Sequence, residues 1–153
     1  MNALELKVPP VAVTLLAGAA MWLAASILPS LTFPLPYRWI AAVVLAVAGG
    51  AVAVLGVASF RRARTTVNPI TPQAASSLVT TGIYRFSRNP MYLGMLLLLA
   101  GVAAFLANAA ALIVLPLFVV YMNRFQIQPE ERALSAIFGS DFTAYTQRVR
   151  RWM

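Results

Sequence analysis

Four apolar runs, each closed abruptly by polar residues or proline, set the pattern of the chain: Val11 to Leu28, Trp39 to Phe60, Met91 to Ala107 and Ala109 to Met122. A hydrocarbon core of ~30 Å takes about 20 helical residues to cross, fewer where interfacial groups help at the ends. The fourth run, continued as helix through Asn123, Arg124 and Phe125, reaches the required length. The pattern therefore predicts membrane spans over residues 11–28, 39–60, 91–107 and 109–125. The third and fourth are joined only through Asn108, as a tight helical hairpin. Lys7 and the small residues after it give the first run the look of a signal peptide, but its length and the three further runs favour a retained helix.

Between the runs lie three polar or broken segments. Pro29, Pro34 and Pro36 make residues 29–38 a short non-helical connection, with Tyr37 and Trp39 at the depth of an aromatic belt. Residues 61–89 form one long polar loop, broken by Pro69 and Pro72 and turned at Gly82. A loop of this length in a compact protein is functional or disordered, and Leu78, Val79, Ile83 and Phe86 argue for folding back onto the membrane face. In the tail, 129–153, Leu134, Ile137, Phe138, Phe142, Tyr145, Val149 and Trp152 recur at roughly helical spacing, interrupted at Gly139. The fold class expected is an all-α integral membrane protein, residues 1–153 as a single domain: four transmembrane helices and a C-terminal interfacial amphipathic helix.

Composition supports this. Hydrophobic residues make up 61% of the 153 and charged residues 10%, against about 25% charged in soluble domains. The net charge of +8 raises nucleic acid as a partner, but the cations fall where topology places them. With a cytoplasmic N-terminus, Arg38 alone lies on the outer side, and the other eleven of the 12 Lys and Arg residues lie on the inner side. That asymmetry is the positive-inside pattern and argues against nucleic acid. It places the tail, the long loop and any site built from them on the cytoplasmic side of the membrane, the inner membrane in a bacterium. Cysteine and histidine are absent, which removes disulfides, thiol nucleophiles and Cys/His metal sites. Chemistry is left to carboxylates, tyrosines, arginines or a cofactor.

Two polar clusters adjoin the last two apolar runs. In Arg88-Asn89-Pro90, Asn suits an N-cap and Pro the first helical position. The same helix start, with Arg88 beside it and Tyr92 one turn in, suits a carboxylate ligand. Glu130 and Glu131, two of only four acids, follow Pro129 in the first turn of a helix, where acids are favoured by ~0.3–1 kcal/mol. They equally suit a ligand ammonium, sulfonium or ribose hydroxyl, and both readings stand at this point. Tyr84 and Tyr92 flank the cluster as pocket walls. Gly49, Gly50, Gly56, Gly94 and Gly101 read as close helix packing.

At these residues the chain resembles the membrane methyltransferase family of isoprenylcysteine carboxyl methyltransferases and phospholipid N-methyltransferases. The resemblance is carried by Gly82 and Tyr84, Arg88-Asn89-Pro90-Met91-Tyr92-Leu93-Gly94, the hairpin, Glu130-Glu131, Phe138-Gly139 and Tyr145. It implies S-adenosylmethionine as methyl donor. Tyr84, Arg88, Asn89, Pro90, Met91, Tyr92 and Glu130 would then bind it, with Ser76, Ser77, Leu78 and Val79 lining the pocket. Asn89 stands where many members have His, and Gln126 where the isoprenylcysteine enzymes have an Arg that orients the substrate carboxylate. Gln126, the neighbouring Arg124 and Glu131 are accordingly expected to position the substrate, a lipophilic or lipid acceptor reached through the bilayer. The alternatives are a non-catalytic protein of the same fold and an NADPH-dependent membrane reductase, for which Arg61-Arg62-Ala63-Arg64 would be the cationic site.

Overall fold

The structure is a computed structural model and describes residues 5–63 and 77–153. Among these residues five α-helices follow in chain order: α1 (Pro10–Ile27), α2 (Arg38–Arg62), α3 (Pro90–Leu106), α4 (Ala109–Met122) and α5 (Gln128–Arg148). Among the described residues there is no β-strand, only an isolated antiparallel bridge between Thr32 and Asn108. Proline opens α1 and α3 at the first helical position, where its missing N–H has no intrahelical partner to lose. The connection 29–38 is less irregular than its prolines suggest, since Pro29–Leu31 closes one 3₁₀ turn.

The junction of α4 and α5 also departs from expectation. Instead of stopping near residue 125 and restarting at 129, the chain stays helical through a wider π turn at Asn123–Ile127. Such turns insert an extra residue without leaving the helical region. Here it rotates α5 relative to α4 and directs Glu130 towards α3. Pro116 is carried inside α4.

Helices α1, α2 and the helical stretch from Ala109 are long and apolar enough to cross a membrane, and α3 is shorter at 17 residues. Leu15, Leu16, Trp22, Val43, Val47, Leu117 and Val120 all point outward and are exposed. Apolar surface on this scale is unstable in water and identifies an integral membrane protein.

Helix α3 occupies the centre, packed on α1, α2 and α4. Against α2 the approach is set by glycine. A Cβ added to Gly94 would lie 2.6 Å from the Gly49 carbonyl oxygen and 3.0 Å from the Ala53 Cβ, and one on Gly101 would lie 2.9 Å from the Ala42 oxygen. On its other side α3 contributes Leu99 and Ala103 to a core with Met21 of α1 and Ala111, Phe118 and Met122 of α4.

Both ends of the bundle are stitched. At one end Asn108 caps α4 by accepting from the Ala110 amide at 2.9 Å and donates to the Leu28 carbonyl at 2.9 Å. Phe33 N–H donates to the Ala107 carbonyl at 2.9 Å. At the other end Leu6 N–H donates to the Phe125 carbonyl at 3.0 Å, and the Gln126 amide donates to the Val8 carbonyl at 2.7 Å. Helix α5 lies at this second end. Gly139, at φ 49° and ψ −117°, breaks its direction, so that Phe142, Tyr145 and Val149 pack with Leu78, Leu134 and Phe138.

Candidate active site

At the end of the bundle where α3 begins, a cavity of about 100 Å³ lies between four chain segments. Phe60 supplies a wall from the last turn of α2. Ser77, Leu78, Val79 and Tyr84 come from the loop before α3. Arg88, Asn89, Met91 and Tyr92 come from the start of α3, and Glu130, Glu131, Leu134, Phe142 and Tyr145 from α5. The two polar clusters, separated by about forty residues of hairpin, thus face each other across one space.

Local structure explains how each side chain arrives. Gly82, at φ +62°, begins a 3₁₀ turn Gly82–Arg85 that buries Tyr84, edge-on to Phe60 at 5.3 Å between ring centroids. The Tyr145 hydroxyl donates to the Tyr84 carbonyl at 2.8 Å and fastens this turn to α5. Burial pushes the hydroxyls of both Tyr84 and Tyr145 well above the ordinary phenolic range, so both stay protonated.

Asn89 occupies the N-cap position of α3, but its side chain does not cap the helix. Its Nδ2 donates to the Arg151 carbonyl at 3.0 Å, while its own amide donates to the Ser87 hydroxyl at 3.1 Å. The expected cap is thereby replaced by a tie to the tail, and no side chain closes the start of α3.

The acidic pair divides. Glu130, one helical turn beyond the membrane segment, accepts the hydroxyl hydrogen of Tyr92. Removal from water, reinforced by the charge of Glu131 and opposed by the Tyr92 hydrogen bond, pushes its carboxyl up to about 8. Glu131 meets Arg88 at 3.1 Å and Arg151 at 2.6 Å. The Arg88 Nε is buried and has no hydrogen-bond partner among the described residues.

Of the residues singled out from sequence, Tyr84, Arg88, Asn89, Met91, Tyr92, Glu130, Glu131, Ser77, Leu78 and Val79 line this one cavity. Pro90 is buried beneath it as the first residue of α3, and Ser76 lies outside the described residues. Gln126 and Arg124 are not brought to it. The π turn directs Gln126 to Val8, fully buried, while exposed Arg124 lies 4.0 Å from Glu5. Arg61 and Arg62 are exposed at the end of α2 and do not line the cavity, and Arg64 lies outside the described residues. Phe60, Leu134 and Phe142 were not singled out for the site. Their apolar character reads as span or amphipathic periodicity, and only tertiary packing distinguishes them.

A bundle of apolar helices carrying a partly polar cavity at one end defines a membrane-embedded protein with a candidate ligand site at one end of the bundle. The family follows from comparison with known proteins. A family model described as phospholipid methyltransferase matches residues 37–141, and the chain belongs to that family of membrane methyltransferases. It is 37% identical over 75 residues to protein-S-isoprenylcysteine O-methyltransferase B of Arabidopsis thaliana, covering 47% of this chain and 36% of that protein. It is 29% identical over 106 residues to a probable protein-S-isoprenylcysteine O-methyltransferase of Oryza sativa subsp. japonica, covering 69% and 56%. An uncharacterized protein of Haemophilus influenzae is 40% identical over 63 residues, all of its length and 41% of this chain. The chain thus spans about a third to just over half of the plant methyltransferases it matches. No solved structure matches it.

Proposed function

We propose that the protein is an S-adenosylmethionine-dependent methyltransferase acting on a lipophilic acceptor, with the cavity between α3 and α5 as the donor site. The carrying observation is the pairing there of a carboxyl that meets no cation among the described residues with a guanidinium nitrogen that meets no acceptor among them. Glu130 is an enclosed carboxylate whose hydrogen-bond partner is a neutral tyrosine hydroxyl rather than a cation. A few side chains away Arg88 Nε is a buried donor without an acceptor. S-adenosylmethionine carries a sulfonium and an ammonium for the first, a carboxylate for the second, and an adenine for the Phe60, Leu78 and Phe142 walls. The charges of the donor set match those of the molecule, and the cavity of about 100 Å³ holds part of it.

When bound, S-adenosylmethionine supplies a methyl group on a sulfonium, an already activated leaving group. The residues are left with positioning, which in well-oriented reactions accounts for several kcal/mol, up to roughly 7–11. Glu130 neutralises the ligand's positive charge. Arg88, with the uncapped start of α3 beside it, holds the carboxylate. Phe60, Leu78 and Phe142 exclude water. For an amine acceptor, Glu130, once ionised beside the bound cation, is also the nearest carboxylate able to accept a proton.

The arrangement of helix ends supports four crossings of the membrane, with residues 1–153 as one domain, α5 on the cytoplasmic surface and Arg148 facing lipid headgroups. Isothermal titration calorimetry of the purified protein in detergent tests the donor site. S-adenosylhomocysteine should bind, and Glu130→Ala should weaken it at least tenfold. Wild-type protein that binds none removes the enzyme reading. Binding without turnover on any lipid, amine or thiol panel would select the non-catalytic alternative.

A further inference from the structure

The match to the methyltransferase family ends at residue 141, yet Phe142 and Tyr145, which line the cavity, lie beyond it, and so does a strap that binds the cavity's Arg88, Asn89 and Glu131. The segment Arg150–Trp152 runs across the start of α3. Arg88 N–H donates to the Arg150 carbonyl at 3.0 Å, and Asn89 Nδ2 to the Arg151 carbonyl at 3.0 Å. The Ser87 hydroxyl reaches the same Arg151 oxygen at 3.4 Å. The Arg151 guanidinium turns the other way and grips Glu131 with a two-point fork, Nε to Oε1 at 3.1 Å and an Nη to Oε2 at 2.6 Å. Trp152 anchors the strap by donating from its indole to Asn123 Oδ1 at 3.1 Å in the π turn.

We propose that Arg151 is a positioning residue for the methyl donor, holding the α3 and α5 halves of the cavity in register. Its carbonyl orients the Asn89 amide. Its side chain fixes Glu131, which in turn holds the Arg88 guanidinium at 3.1 Å. A two-point fork fixes the angle of a carboxylate as well as its distance, which lysine cannot do. The Arg151 side chain is only 33% exposed and Glu131 20%, so the pair is shielded from the screening that weakens surface ion pairs. Without the fork Glu131 retains, among the described residues, only Arg88 as a close cation. The Arg88 guanidinium is then free to swing after it and away from the ligand carboxylate.

This inference rests on the donor-site reading, and its test separates the two. Binding of S-adenosylhomocysteine is measured by calorimetry in detergent for wild type, Arg151→Met, Arg151→Lys, Glu131→Gln and the Arg151→Met/Glu131→Gln pair, with thermal midpoints recorded alongside. Wild type that fails to bind removes the donor-site reading itself. With wild type binding, Arg151→Met should weaken affinity about tenfold and Arg151→Lys about threefold. The double variant should be no worse than the poorer single, because both changes break one link. A folded Arg151→Met with wild-type affinity overturns the inference, as does a double variant whose losses multiply. If Arg151→Met does not fold, Arg151→Lys decides: affinity at the wild-type level with a lowered thermal midpoint marks a purely structural tie and overturns the proposal.

Discussion

Glu130 and Glu131 are adjacent in the chain and sit in opposite electrostatic surroundings. Glu131 faces two guanidinium groups, whereas Glu130 faces the Tyr92 hydroxyl and apolar walls. A pair of carboxyls divided in this way supports separate roles, and the proposed donor site gives Glu131 the structural one and Glu130 the ligand. The sign of the pH effect follows. The carboxyl of Glu130 is raised from 4.5 to about 8, so at neutral pH much of it is protonated when no ligand is bound. A cationic ligand favours the carboxylate, and binding near pH 7 should therefore release close to one proton. Affinity for S-adenosylmethionine should rise as pH climbs through 8. Calorimetry in buffers of different ionisation enthalpy measures that proton, and Glu130→Gln should abolish it. The same group affects folding in the opposite direction: its raised value means that the folded state prefers it neutral, and its contribution to stability falls as pH rises from about 4.5 to 8. The thermal midpoint of Glu130→Gln should accordingly vary less with pH over that interval, as a detergent melting series would record.

At the level of the helices, the close fit of α2 and α3 fixes the cavity's inner wall, because Phe60 from one and Met91 from the other both line it. With the Gly94 Cβ position only 2.6 Å from backbone oxygen, Gly94→Ala forces the two helices apart, since no flexible side chain can yield. We expect a loss of about 1–3 kcal/mol, typical of overpacking, and a parallel fall in donor affinity. The thermal midpoint and the S-adenosylhomocysteine affinity of Gly94→Ala check both. Gly50→Ala, where an added Cβ meets nothing within 4 Å, should leave both near wild type. At Gly49, Gly56, Gly94 and Gly101 the sequence reading of close packing holds, because small residues in a membrane span let two backbones approach closely, but Gly50, read the same way, faces open space. Helix starts were legible too, since Pro10 and Pro90 mark them. The π turn at Asn123–Ile127 was not. Its residues have ordinary helical character, and the extra residue appears only once α5 must reach the donor cavity. That turn explains why Gln126, aligned by sequence with a substrate-orienting position, points to Val8 instead. The Asn89 tie to Arg151 was equally hidden, because asparagine before proline satisfies a capping pattern on local grounds alone.

For the whole molecule, the two stitched ends define two faces, and every helix from α1 to α4 runs between them. Helix α1 begins beside Phe125 and ends beside Asn108. Helix α3 begins at the donor cavity and ends at Ala107, and α4 returns from Asn108 to the π turn. Helix α2 starts at Arg38, whose guanidinium lies 5.8 Å from the Phe105 ring at the far end of α3, and finishes at Phe60 in the cavity wall. A helix of 17 residues rises ~26 Å, enough for α3 to cross when its ends are interfacial. Among the described residues the clustered arginines belong to the cavity face and Arg38 to the other, so the positive-inside tendency supports the proposed orientation with the cavity face inside. Because the chain has no native cysteine, single introduced thiols report it cleanly. Ser30→Cys, exposed in the 3₁₀ turn after α1, should react with a membrane-impermeant maleimide in intact cells. Gln147→Cys, exposed near the end of α5, should react only after permeabilisation. Labelling of both from outside would place the donor cavity on the wrong side of the membrane for a methyl donor made in the cytoplasm, and the four-crossing arrangement would have to be abandoned with it.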